Sequence, residues 1–75
     1  MAIFPKITYR QCVKKLQKLR FYYIRQCKGS HELWGRNSDK AATIVPHHGN
    51  KTLSRTVIKG ILKDIGLTIK EFNEL

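Results

Sequence analysis

FYYIRQCKGSHELWGR, residues 21–36, is the stretch that decides the fold. Residues 21–27 are rich in aromatic and β-branched side chains, which favour a pleated strand. Lys28 and Gly29 then supply a tight turn, and residues 30–36 resume a strand pattern. The stretch therefore predicts an antiparallel hairpin, with His31 close to the start of its second strand.

A third strand is predicted directly after this hairpin. The polar run RNSDK, residues 36–40, predicts a second turn into AATIV, residues 41–45. Pro46 is expected to end this strand, because proline cannot donate a hydrogen bond to a sheet. HHGNKT, residues 47–52, is expected to form a loop. The three strands together predict an antiparallel meander.

A first helix is predicted over residues 9–20, before the strands. Thr8 and Gln11 have the spacing of a capping box, in which each side chain bonds a free amide at the helix start. Apolar residues recur at helical spacing and form one stripe, consisting of Tyr9, Cys12, Val13, Leu16 and Leu19. This stripe is expected to face the core.

A second helix is predicted after the loop, from the N-cap Thr56 to the C-cap Gly66. Its apolar stripe is Val57, Ile58, Ile61, Leu62 and Ile65. Gly60 lies inside this helix, where glycine costs about 1 kcal/mol relative to alanine. We expect another element to approach the helix closely at this point. Thr68 and Glu71 repeat the capping-box spacing and predict a last short turn that holds Phe72.

This order of elements predicts an α+β fold, α-β-β-β-α, with residues 1–75 as one domain. A three-stranded antiparallel sheet with both helices on one face buries both apolar stripes in two layers. The other face of the sheet, the loops and the helix edges are left to present charge.

The charge of the chain indicates a polyanionic partner. Fifteen Lys and Arg against five Asp and Glu give a net charge of +10. Residues 1–40 hold ten basic and two acidic side chains, so the first half is expected to make most of the contact.

No signal peptide or apolar run of about 20 residues is present, which favours a cytoplasmic protein. Cys12 and Cys27 are expected to be reduced thiols.

Three pieces of the chain resemble the HicA toxins, small ribonucleases of bacterial and archaeal toxin–antitoxin pairs. LQKLRFYYIRQCKGSH, residues 16–31, resembles their strand and GSH turn, and IVPHHGN, residues 44–50, resembles their VPxHG loop. TVIKGILKDIGLTIKEF, residues 56–72, resembles their closing helix. The resemblance implies a fold like that of double-stranded-RNA-binding domains. It also implies cleavage of mRNA and a HicB-like antitoxin that covers the basic face.

The resemblance places His31 at the catalytic histidine of the family and aligns His48 with the loop histidine. Histidine suits general acid–base work, because its usual pKa near 6.5 leaves both protonation states populated at neutral pH. His48 is either a second proton-transfer or phosphate-binding group, or a cap for the loop or the next helix. His47 is expected to be exposed. The residues expected to hold RNA are Arg25, Lys28, Gly29, Ser30, His48, Lys51, Arg55 and Lys59.

Two positions depart from the family pattern, which has glycine where this chain has Arg20 and Arg55. We expect Arg20 to avoid the left-handed conformation that glycine allows, so that the turn changes. Arg55 adds a cation beside the expected cap.

Several alternatives follow from the residues alone. His31 can be a hydrogen-bonded structural histidine in a non-catalytic module that binds double-stranded RNA through shape and phosphates. Zinc is disfavoured, since adjacent histidines cannot both aim at one ion and no cysteine has ligand spacing. Trp34, Tyr22 and Tyr23 can stack on bases or belong to the core.

Overall fold

The computed structural model describes residues 3–75 and contains three helices and three strands. The helices are α1 (Tyr9–Lys18), α2 (Arg55–Ile65) and α3 (Ile69–Asn73), and the strands are β1 (Tyr22–Gln26), β2 (His31–Gly35) and β3 (Ala42–Pro46). The strands form one antiparallel sheet in the order β1-β2-β3. The predicted α+β fold is confirmed, and the last predicted turn is the short helix α3.

Helix α1 begins at the predicted capping box and ends earlier than expected. Its last residue is Lys18, and Arg20 has a φ of 74°. The expectation that Arg20 avoids the left-handed conformation was wrong. Two hydrogen bonds of a Schellman motif, Arg20 N to Gln17 O and Phe21 N to Leu16 O, both 3.0 Å long, close the helix end. These bonds and the burial of Phe21 offset the conformational cost of about 1 kcal/mol.

The sheet has one buried face and one exposed face. In β2 and β3, the side chains of Glu32, Trp34, Thr43 and Val45 are buried on the helix side. Ile44 on the other face is 41% exposed. Strand β1 carries a bulge between Tyr23 and Arg25, and all five of its residues are exposed. The helices therefore cover one face and leave the other open.

Helix α2 begins two residues before the expected start. Ser54 is its N-cap, with its Oγ accepting from the amide of Val57 at 3.2 Å, so the assignment of Thr56 as cap was wrong. Leu53 is the physical reason, because this buried residue donates its amide to Ile7 O at 2.7 Å and fixes where the chain turns. Gly66 is the C-cap, as predicted, with a φ of 73°.

The core lies between the sheet and the helices. Its apolar side chains are Ile7, Cys12, Val13, Leu16, Phe21, Trp34, Val45, Leu53, Ile58, Ile61, Leu62, Ile65 and Phe72. Most residues of the two predicted apolar stripes belong to this core, so burial of these helix faces drives the packing of the helices on the sheet.

Arg36 lies at the edge of the core and connects several elements there. Its guanidinium donates to Leu19 O and to Asp39, and it lies 4.6 Å from the centre of the Phe21 ring.

The expected close approach to Gly60 is absent from the part of the chain that the structure describes. Apart from its chain neighbours and the backbone of its own helix, a Cβ added at Gly60 would have no heavy atom within 4 Å, so packing against other elements does not require glycine here. Among the helices of residues 3–75, none is long and apolar enough to cross a membrane.

Candidate active site

His31 stands at the first position of β2, opposite Pro46 of β3, and its side chain is exposed. The turn that leads into it depends on Gly29, which has a φ of 66°. His31 Nδ1 lies 3.1 Å from the carbonyl oxygen of Lys28. Because a carbonyl only accepts, Nδ1 carries the hydrogen of this bond. In the neutral ring, Nε2 is then left as a proton acceptor.

The loop after β3 folds back beside this turn and brings His48 to His31. The amide of His47 donates to Ser30 O at 2.8 Å, and Ser30 Oγ lies 3.4 Å from His48 Nδ1. The rings of His31 and His48 are 6.4 Å apart, with an angle of 83° between their planes. Both rings are exposed, so a ligand in this region can reach each of them. His48 does not cap α2, because Ser54 has that role.

A cleft of about 400 Å³ opens beside these two histidines. Its walls come from the end of β3, the loop and the start of α2, and it is lined by His31, Pro46, His48, Lys51, Thr52, Leu53, Ser54 and Val57. Lys51 brings a positive charge to the cleft. The structure thus brings together four of the residues expected to bind RNA or to catalyse its cleavage, namely Ser30, His31, His48 and Lys51.

Other residues expected to hold RNA lie apart from this cleft. The guanidinium of Arg55 lies 4.5 Å from the Phe4 ring, in a neighbouring pocket that shares Thr52 and Leu53 with the cleft. Arg25 is in β1, paired with Leu33, and Lys59 is exposed on α2. Neither side chain lines the cleft. Lys28 and Gly29 contribute backbone groups to the turn, since Gly29 O accepts a 2.6 Å bond from Gln26 Nε2.

Glu32 is a buried carboxylate that the sequence analysis missed. Its Oε1 accepts from Tyr9 Oη at 2.6 Å and from Trp34 Nε1 at 3.1 Å. Its Oε2 lies 3.5 Å from His47 Nδ1. The sequence could have indicated part of this cluster. Side chains alternate between the two faces of a strand, so Glu32 and Trp34, two residues apart, share one face. A charged residue on the core face of a strand needs buried partners.

His47 belongs to this cluster of Glu32, Tyr9 and Trp34, which we call the Glu32 cluster. The His47 side chain is half exposed, as predicted, yet its ring stacks on Tyr9 with centroids 3.8 Å apart and planes 11° from parallel. Burial, followed by the hydrogen bond to Glu32, raises the pKa of the Tyr9 phenol to about 12. The cluster therefore attaches the loop to α1 immediately beside His48.

The aromatic residues divide between the core and the surface. Trp34 is 5% exposed and its ring nitrogen is bonded to Glu32, so it belongs to the core. Tyr22 and Tyr23 are 45% and 48% exposed. Among residues 3–75, no group of three or more His, Cys, Asp or Glu side chains is placed to hold a metal ion.

Comparison with known proteins identifies the family. The family model of the HicA toxin of bacterial toxin–antitoxin systems matches residues 9–67, from the start of α1 to the segment before α3. No curated protein sequence matches the chain significantly. The matched span includes the turn at His31, the loop with His48 and all of α2. A toxin of such a pair has an antitoxin as its partner, and this chain belongs to the HicA toxin family.

Proposed function

We propose that this toxin is a metal-independent endoribonuclease that cleaves mRNA and arrests growth unless its antitoxin is bound. One observation carries the proposal. His31 has Nδ1 held by the Lys28 carbonyl, which leaves Nε2 available beside a cleft that also contains His48 and Lys51. Since mRNA is the substrate, the toxin would act in the cytoplasm.

Two histidines and a cation supply what strand cleavage needs. His31 Nε2 takes the proton of the ribose 2′-hydroxyl, and the oxygen attacks the adjacent phosphorus. As that bond forms, the bond from phosphorus to the 5′-oxygen breaks, and protonated His48 gives its proton to the leaving oxygen. The products are a 2′,3′-cyclic phosphate and a 5′-hydroxyl. Lys51 offsets the charge that develops on the phosphorane oxygens.

Incubation of the purified toxin with RNA in EDTA tests this function. We expect fragments from the wild type and a loss of about 10³-fold in rate for His31→Ala, which is the usual range for a general acid or base. Lys70→Ala, an exposed change on α3, is the matched control. Circular dichroism should be unchanged in both variants. Undiminished cleavage by His31→Ala would contradict the role of His31. A gel shift without products from the wild type would contradict the proposal and favour a non-catalytic RNA-binding module.

The partner in this proposal is a HicB-like antitoxin that covers the basic surface and blocks His31. The net charge of +10 and the exposure of His31 support it, because an acidic partner gains from covering both. Co-expression with the product of the neighbouring reading frame should yield a stable complex without ribonuclease activity. Failure to recover a complex, or full activity within it, would count against this part.

A further inference from the structure

Gly60 is an unexplained glycine in the middle of α2. It lowers helix propensity, and a Cβ at this position would meet no atom within 4 Å beyond its chain neighbours and the backbone of its own helix. The protein's own packing therefore does not require a glycine. A ligand that approaches the helix backbone would require one.

A groove runs past Gly60 to the proposed catalytic histidine. It has a volume of about 280 Å³, and its apolar walls include Ile44, Pro46, Val57 and Ile61. His31, Pro46 and Val57 line both this groove and the cleft that contains His48. The groove and the cleft are therefore continuous, with His31 at their junction.

Asp64 determines what kind of group the groove can take. It lies at the groove on α2, and its Oδ2 accepts a 3.0 Å hydrogen bond from Thr43 Oγ1. Among the described residues, Oδ1 has no hydrogen-bond partner. A carboxylate repels phosphate and accepts from N–H donors, so the groove disfavours phosphate and suits a group with an amino edge.

We propose that this groove binds the base of a nucleotide next to the scissile phosphate and selects bases that carry an exocyclic amino group. The apolar walls contact the faces of the base, the missing side chain at Gly60 admits it, and Asp64 Oδ1 accepts from the amino group. Uracil is disfavoured, because the carbonyl oxygens beside its N–H face the carboxylate. This proposal rests on the proposed ribonuclease function, since His31 fixes where the phosphate lies.

Cleavage of short RNAs with a single permitted site tests the selectivity. We expect the wild type to cleave at least one flanking position about 10-fold faster with cytidine than with uridine, as one hydrogen bond to a charged group typically provides. Asp64→Asn keeps the size of the side chain and an acceptor for Thr43, and should reduce the preference to below about 2-fold. Glu74→Gln removes one negative charge elsewhere and should leave the preference intact. Equal preferences in the wild type and Asp64→Asn would overturn the proposal.

Gly60→Ala tests the fit of the base. The substitution should raise the melting temperature, because alanine favours the helix, and should raise KM for RNA while leaving kcat nearly unchanged. Lys63→Ala on the same helix is the control. If Gly60→Ala weakens only the complex with the antitoxin and leaves KM unchanged, the groove is a protein contact and the proposal is wrong.

A binding experiment separates this proposal from the ribonuclease function. Titration of ¹⁵N-labelled protein with CMP should shift the amide signals of Gly60 and Asp64 more than titration with UMP at the same concentration. This difference should persist in His31→Ala, in which cleavage is lost. Equal shifts with the two nucleotides would overturn the base site even if the toxin cleaves RNA. A CMP-selective response in a protein that never cleaves RNA would overturn only the ribonuclease proposal.

Discussion

His47 and His48 are adjacent, yet they belong to two different regions of the molecule. His47 stacks on Tyr9 and lies 3.5 Å from the Glu32 carboxylate, within a cluster whose donors and acceptors are paired. His48 lies in the open cleft, where its contacts are Ser30 and the ring of His31. Two histidines next to each other thus have different roles: His47 attaches the loop, and His48, in our proposal, transfers protons.

This difference shows why a reactive group benefits from a rigid neighbour. An exposed loop loses little free energy when it moves, whereas the Glu32 cluster joins this loop to α1 and β2 through buried or stacked contacts. His48 then lies beside His31 before any ligand binds, as preorganised catalysis requires. Changes in the Glu32 cluster should therefore alter stability first, and changes at His48 should alter activity alone.

The largest expected effect is a loss of stability caused by a change in the Glu32 cluster. Glu32→Ala leaves the buried Trp34 N–H and the Tyr9 hydroxyl without their acceptor, which should lower the free energy of unfolding by about 3 kcal/mol. Urea denaturation measures this loss. Glu32→Gln retains an acceptor oxygen and should lose clearly less. If Glu32→Ala is as stable as the wild type, the cluster does not hold the loop.

In the cleft, His48→Ala should lower the rate of RNA cleavage by about 100-fold, which is the lower end of the range for a general acid, because water can partly take over this role. Its urea denaturation curve should coincide with that of the wild type, because the side chain is exposed. Asn50→Ala, in the same exposed loop, is the control. Full activity in His48→Ala would leave His31 as the only proton-transfer group.

His47→Ala should give a smaller, mixed effect. Loss of the stacking on Tyr9 should lower the free energy of unfolding by about 1 kcal/mol. Cleavage should fall by only a few fold, because His48 is still present but its loop is less firmly held. His47→Phe restores the flat ring and should recover most of the stability. A loss of activity as large as that of His48→Ala would contradict the separation of the two roles.

The last expected effect is confined to alkaline conditions, where the stability of the protein should depend on pH. The folded state raises the pKa of Tyr9 from 10.0 to about 12, chiefly through burial and then through Glu32. The folded protein therefore retains this proton longer than the unfolded chain. The contribution is complete below about pH 10 and is lost as the pH rises towards 12.

Urea denaturation at a series of alkaline pH values tests this assignment. Tyr9→Phe should show a shallower loss of stability than the wild type. Burial also raises the pKa of Cys12 from 9.0 to about 12, so the comparison is best made in a Cys12→Ala background. Identical slopes with and without the Tyr9 hydroxyl would show that the phenol is not shielded as the structure indicates.

Local signals predicted much of the fold, and nonlocal contacts explain the errors. The capping boxes at Thr8 and Thr68 and the cap at Gly66 involve residues close in sequence, and all three were predicted. Ser54 and Thr56 are both good caps, and the choice between them depends on a hydrogen bond from Leu53 to the distant Ile7. Arg20 was misjudged because a complete Schellman motif can hold a non-glycine residue in the left-handed conformation.

The candidate site was predictable to a similar extent. The resemblance placed His31 and His48 in short motifs, and the fold brings them together. The stacking of His47 on Tyr9 joins residues far apart in sequence, and no local pattern indicates it. Gly60 was noticed, but its expected partner was a protein element, whereas the structure shows open space beside it.

The free edge of β1 has a consequence for the toxin outside its complex. A fully exposed edge strand offers unpaired backbone groups to any other extended chain, which is a common route to aggregation. The bulge between Tyr23 and Arg25 interrupts the regular spacing of those groups, and the arginine places a charge on the strand. An irregular, charged edge disfavours strand pairing between copies of the toxin, which matters most when the antitoxin has been released.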